Sequence, residues 1–141
     1  MVATMRELKV LLLLIPIFLA VDLTWLGVIM KNFYGAELGE LARRRDGGMA
    51  PRWSAAILVY LLIPGGLVLF VRPLLVGDAS WLRASAWGAV YGLVTYGIYD
   101  LTNLATLERW TVRLSVADMA WGAVLCGFSA VVMQWIDGRL G

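Results

Sequence analysis

The chain has 141 residues, is 61% hydrophobic and has a mean hydropathy of +0.79. No soluble domain of this size could hide so much apolar surface in one core, so lipid is the expected solvent for much of it. A net charge of +2 gives no electrostatic footprint for nucleic acid, and the absence of histidine removes histidine bases, haem ligation by histidine and most zinc and di-iron sites.

The charges are bunched, and the intervals between bunches are long enough to span a bilayer, which takes about 20 apolar residues per helix. Helix one is expected over about residues 8–30. Arg6 and Lys9 precede it, as in a signal peptide. Its apolar part is too long for one and lacks a small-x-small cleavage site, so a retained helix is expected. Pro16 should kink it.

The next linker, "KNFYGAELGELARRRDGGMAPR", places Phe33 or Tyr34, Leu38 and Leu41 at helical spacing with charge between them. That predicts an interfacial helix over about residues 32–45, ended by Asp46-Gly47-Gly48. Helix two is expected over 53–71, kinked at Pro64-Gly65-Gly66, helix three over 81–107 and helix four over 112–136. A tight turn around Glu108-Arg109-Trp110 makes helices three and four antiparallel neighbours. Trp53, Trp81, Trp110 and Trp135 fall near segment ends, where an interfacial aromatic belt belongs. The lone Cys126 cannot form an internal disulfide. The expected fold is all-α, a single integral membrane four-helix bundle over residues 1–141.

Four spans put both termini on one side. Arg6, Lys9, Arg72, Arg83 and Arg139 fall there, against Lys31, Arg43, Arg44, Arg45, Arg52, Arg109 and Arg113 on the other. The positive-inside rule leans towards cytoplasmic 1–2 and 3–4 loops.

Three carboxyl groups lie deep in the apolar segments. Asp22 is nine residues before Lys31, Asp100 eight before Glu108, and Asp118 nine after Arg109. At about 1.5 Å per residue, each lies roughly 12–14 Å from the same membrane face, near the midplane. The local texts are "VDLTW", "YDLTN" and "ADMAW", each with a Trp or Asn three residues after the Asp, on the same helical face. A charge at a helix centre costs roughly 2.5–3.5 kcal/mol, so such residues are expected to face the interior and to pair.

Helix three should be the most enclosed. Its small residues Ala84, Gly88 and Gly92 recur every four, and Gly88 and Gly92 form a GxxxG pair. Internal packing is the expected use of this stripe, with a homodimer as the alternative. Gly92, Tyr96, Asp100 and Asn103 share one face, so the stripe leads into the polar site. On helix four Ser115, Asp118, Gly122 and Ser129 share a face. Arg109 and Arg113, nearer the boundary, are expected as snorkelling anchors or as holders of a lipid headgroup.

"YDLTNLATL", followed by Trp110 and then by Asp118, Trp121 and Gly122 as D-x-x-W-G, resembles a family of small bacterial four-helix membrane proteins described only as predicted membrane proteins of unknown function. The resemblance covers nearly the whole chain, including Tyr34, Leu38-Gly39 and Pro73. It implies a fold and a multi-pass location in the bacterial inner membrane, and no activity. Helix two carries Tyr60 and then "LLIPGG", which sets it apart from the pattern and leaves it without an expected role in the site.

The leading functional reading is an intramembrane site that binds or translocates a proton, cation or small polar solute. Asp22, Asp100 and Asp118 form its titratable core, with Tyr96, Thr102 and Asn103 as hydrogen-bond partners. Clustered carboxyls at low dielectric should share protons, and hard oxygen ligands would suit a divalent cation. No cofactor is expected, and the partner is the lipid bilayer. A lipid-modifying enzyme or its accessory subunit, and a purely structural subunit, are the alternatives. No catalytic motif decides whether the chain is an enzyme.

Overall fold

The computed structural model describes residues 4–77 and 80–141. These hold five α-helices where the sequence predicts four long ones: α1 (Met5–Thr24), α2 (Lys31–Leu38), α3 (Trp53–Gly66), α4 (Trp81–Thr106) and α5 (Val112–Arg139). The fifth, α2, is the predicted interfacial segment, shorter than expected. A 3₁₀ turn at Gly39–Leu41 ends it, and a small hairpin pairs Arg44–Arg45 with Gly48–Met49. Asp46 (φ 52°) and Gly47 (φ 82°) make the two-residue turn of that hairpin, a geometry Asp-Gly favours.

Local chemistry fixes the helix starts. Thr4 and Glu7 form a reciprocal capping box at α1. Ser80 caps α4, and Thr111 caps α5 through a 3.0 Å bond from the Leu114 amide. Helix α1 runs through Pro16 and then widens into a π turn at Trp25–Ile29. Helix α3 runs through Pro64, widens into a π turn at Leu67–Val71 and ends in a 3₁₀ turn at Arg72–Leu75. The irregularity expected at the prolines thus falls past them, in the wide turns.

Three helical segments are long and apolar enough to cross a membrane: Met5–Ile29, Trp53–Leu75 and Val112–Arg139. The 26-residue α4 is long enough, but Arg83, Ser85, Thr95, Asp100, Thr102 and Asn103 lower its hydropathy below theirs. The outward faces are apolar: Leu12 and Leu13 on α1, Leu58 and Leu62 on α3, Val94 and Ile98 on α4, Val116 and Val124 on α5 are all exposed. Such a surface suits lipid and would be a liability in water.

The half of the molecule nearer the termini is solidly packed. Val10, Leu14, Phe18, Leu67, Val71, Leu125 and Met133 form its core. At its outer end Arg72 bonds both Asp137 (3.1 Å) and Glu7 (3.3 Å), and Arg6 bonds Asp137 (2.6 Å). Two cations counted towards topology therefore also tie α1, the end of α3 and α5 together.

The most enclosed helix is α5 and not α4. It carries ten buried residues to five on α4, and it packs on α1, on α4 and on the turns after α3. Helix α4 lies along α5 and touches the π turn after α3. The reason is the glycine stripe, which brings one partner very close. A Cβ on Gly88 would stand 2.3 Å from the Cys126 carbonyl oxygen, and one on Gly92 would stand 2.0 Å from that of Gly122. The stripe is spent on α5.

One aromatic also departs from expectation. Trp53, Trp81 and Trp135 are exposed as belt residues should be, whereas Trp110 is buried and donates its indole N–H to Ser115 Oγ at 3.0 Å. It packs with Tyr34 and Leu114 in a second, smaller core under α2.

Candidate functional site

In the half nearer the loops, α3 parts from α4 and leaves a cavity of about 450 Å³. Asp22 and Leu26 from α1 and its π turn line it, with Tyr60 and Ile63 from α3, Thr95, Tyr96 and Tyr99 from α4, and Asp118 and Trp121 from α5. Exposed Val59, Leu62 and Tyr99 form its rim, so it opens sideways, on the apolar flank between α3 and α4. Above it the seam closes where Tyr91 donates its hydroxyl to the Ile63 carbonyl at 3.0 Å. Gly66 makes room for that ring, since a Cβ there would lie 1.9 Å from the Tyr91 hydroxyl oxygen.

The Asp22 carboxyl is buried and doubly bonded. Trp121 Nε1 donates to one oxygen and the Tyr60 hydroxyl to the other, each at 2.8 Å. Trp121 stacks on Trp25, ring centroids 4.2 Å apart and 5° from parallel. Trp25 Nε1 donates to the Tyr34 hydroxyl at 3.3 Å, and that hydroxyl donates to Asp118 at 2.7 Å. One relay of neutral donors thus links α3, α1, α5 and α2. Burial, then the charge of Asp118, raises the Tyr34 hydroxyl well above the ordinary tyrosine value, so it keeps its proton and remains a donor.

Asp100 is different. It is 0% exposed, and neither carboxyl oxygen has a hydrogen-bond partner. Its polar neighbour is Asp118, an acid of the same sign that acts on it through charge and is placed to share a proton with it, although no hydrogen bond of good geometry joins the two. Asp118 also acts electrostatically on Asp22, so it neighbours both of the other acids.

The other candidates divide. Tyr96 lines the cavity, its ring laid on Gly122, where a Cβ would meet it at 2.3 Å. Asn103 is half-buried on α4 beyond the lining. Thr102 is exposed and lies along a shallow outer groove, because two residues from Asp100 is more than half a turn around the helix. Arg109 pairs with Glu40, and Arg113 pairs with Glu37 at 3.7 Å and covers the Phe33 ring. Both arginines are exposed and outside the cavity lining. Among the described residues, no group of three or more acidic or sulfur side chains converges as a metal's ligands would. Both oxygens of Asp22 are already taken, which separates it from such a set.

Sequence reasoning missed Tyr60, Trp121, Tyr34 and Trp25. Helix two, left without a role, supplies Tyr60. Both indoles stand three residues after an Asp, and that spacing was the available signal for them. Removing either donor to Asp22 should leave a buried carboxyl oxygen unpaired, at a cost of about 1–3 kcal/mol. Tyr60→Phe and Trp121→Phe should each lower the thermal midpoint of the purified protein. Parent midpoints in both would mean that Asp22 does not depend on them.

Residues 7–135 match the model of the family described as "Predicted membrane protein (DUF2177)", so the chain belongs to that family. No curated protein and no solved structure matches it.

Proposed function

From that family membership we propose that the chain spans the bacterial inner membrane as a multi-pass bundle of its four long helices, one domain over residues 1–141, and holds an intramembrane carboxyl site. The site binds or translocates a proton, a cation or a small polar solute. The observation that carries this reading is Asp100, a fully buried carboxyl with no well-formed hydrogen bond, which lies behind the cavity lining and neighbours Asp118, an acid that does line it. A buried polar group left unpaired costs about 1–3 kcal/mol and a buried charge more, so a helix that only needed to pack would do better with an apolar residue. Asp22, with both oxygens bonded across helices, supports the structural reading for that residue alone. It fixes Trp121 and Tyr60 around the cavity.

The lipid-modifying alternative draws less support, because Arg109 and Arg113 are engaged by Glu40 and Glu37 outside the cavity. The test is reaction with dicyclohexylcarbodiimide, an apolar reagent that adds to carboxyl groups carrying a proton in water-poor surroundings. In native membranes, peptide mass mapping should find the adduct on Asp100 or Asp118 and not on doubly bonded Asp22. No adduct, or adducts confined to exposed acids such as Glu40, would overturn the site.

A further inference from the structure

The cavity wall narrows the class of ligand. Its acidic groups are Asp22 and Asp118, and no lysine or arginine lines it. Around them stand the rings of Tyr60, Tyr96, Tyr99 and Trp121, and the remainder is aliphatic apart from Thr95. An anion would meet two carboxyl groups and no compensating charge. A sugar or other polar neutral solute would leave most of its hydrogen-bonding groups unpaired against aliphatic wall. A metal ion would lack convergent ligands among the described residues. A volume of about 450 Å³ falls among ordinary small-molecule sites, roughly 300–1,000 Å³, and exceeds the needs of a bare ion.

Carboxyl groups with aromatic faces and an apolar wall suit a cation with an apolar body. Ring faces attract such a cation through their quadrupoles, more strongly where water is excluded. The rim of Val59, Leu62 and Tyr99 opens on the lipid-facing flank, so a ligand that partitions into the bilayer has direct entry.

Building on the site proposed above, we propose that the cavity binds a lipophilic organic cation of the quaternary ammonium or phosphonium kind. The cation enters sideways between α3 and α4 and sets its charge against Asp118, with its apolar groups on Trp121, Tyr96 and Tyr99. Asp118 is the anchor because one of its oxygens is not engaged by Tyr34, whereas both oxygens of Asp22 are bonded.

The experiment is equilibrium dialysis of the full chain in lipid nanodiscs against tetraphenylphosphonium and tetraphenylborate, ions of nearly equal shape and opposite charge, with empty nanodiscs subtracted. The phosphonium should bind saturably, one per chain, and the borate should not. Asp118→Asn keeps an acceptor for Tyr34 and removes the charge, so it should weaken binding at least ten-fold at an unchanged thermal midpoint. Tyr99→Leu, at the rim, should weaken it without touching the relay, which covers the case of an Asp118 variant that fails to fold. Arg139→Gln, beyond the packed half, should bind as the parent does. Equal binding of both ions, or phosphonium binding unchanged in Asp118→Asn and Tyr99→Leu, overturns the proposal. Absence of phosphonium binding with carbodiimide still adding to Asp100 or Asp118 overturns the organic cation and leaves the carboxyl site standing. Absence of both overturns both.

Discussion

Gly92→Ile should be the most damaging single change in the packed part of the molecule, costing about 3 kcal/mol or more of stability. Overpacking is mild when a neighbouring side chain can swing aside. Here the first obstacle is backbone, because even the Cβ would stand 2.0 Å from the Gly122 carbonyl oxygen and 2.6 Å from its carbon. Relief requires α4 to move away from α5. Gly122 in turn supports the Tyr96 ring, so the movement would reach the cavity as well. Gly97→Ile, whose Cβ would meet the flexible end of Met119 at 3.3 Å, is the milder comparison. A thermal midpoint for Gly92→Ile within a degree or two of the parent would mean that α4 and α5 do not pack as described.

Asp100→Asn should separate folding from function. The amide is nearly isosteric with the carboxyl, and it can both donate and accept. It removes an ionisable group from a fully buried position beside another acid, so the variant should accumulate and unfold as the parent does, or slightly better. It cannot titrate, and it changes the field at Asp118. The variant should therefore bind tetraphenylphosphonium more weakly. Parent-level binding at matched expression would return Asp100 to the role of interhelical glue.

Much of this arrangement was legible in the chain. Apolar run length located the long helices because a membrane-sized helix leaves a signal of about 20 residues. Counting inward from charged boundaries gave Asp22, Asp100 and Asp118 one expected depth, and in the structure Asp118 neighbours both of the others electrostatically. Rotation about each helix axis was less legible. Thr102 fell on the wrong face, and Tyr60 and Trp121 bond an Asp on a different helix, a contact that no spacing along one segment encodes. The choice of α4 as the central helix failed for a related reason. A small-residue stripe reports how closely one neighbour approaches and says nothing of how many neighbours there are. Trp110 sits at a segment end as belt residues do, and it is buried because α2 folds over it.

The central claim is that Asp100 is kept without a structural partner, at a cost to the fold. Its most direct test is the thermal unfolding midpoint of Asp100→Leu beside the parent in one detergent. Leucine is similar in size and shape and makes no hydrogen bond. If the carboxyl is unpaired, as the structure has it, the variant should gain about 1 kcal/mol or more and melt at or above the parent temperature. A midpoint lowered as far as those of Tyr60→Phe or Trp121→Phe would contradict the account, because it would mean that Asp100 holds α4 in place through a bond of its own.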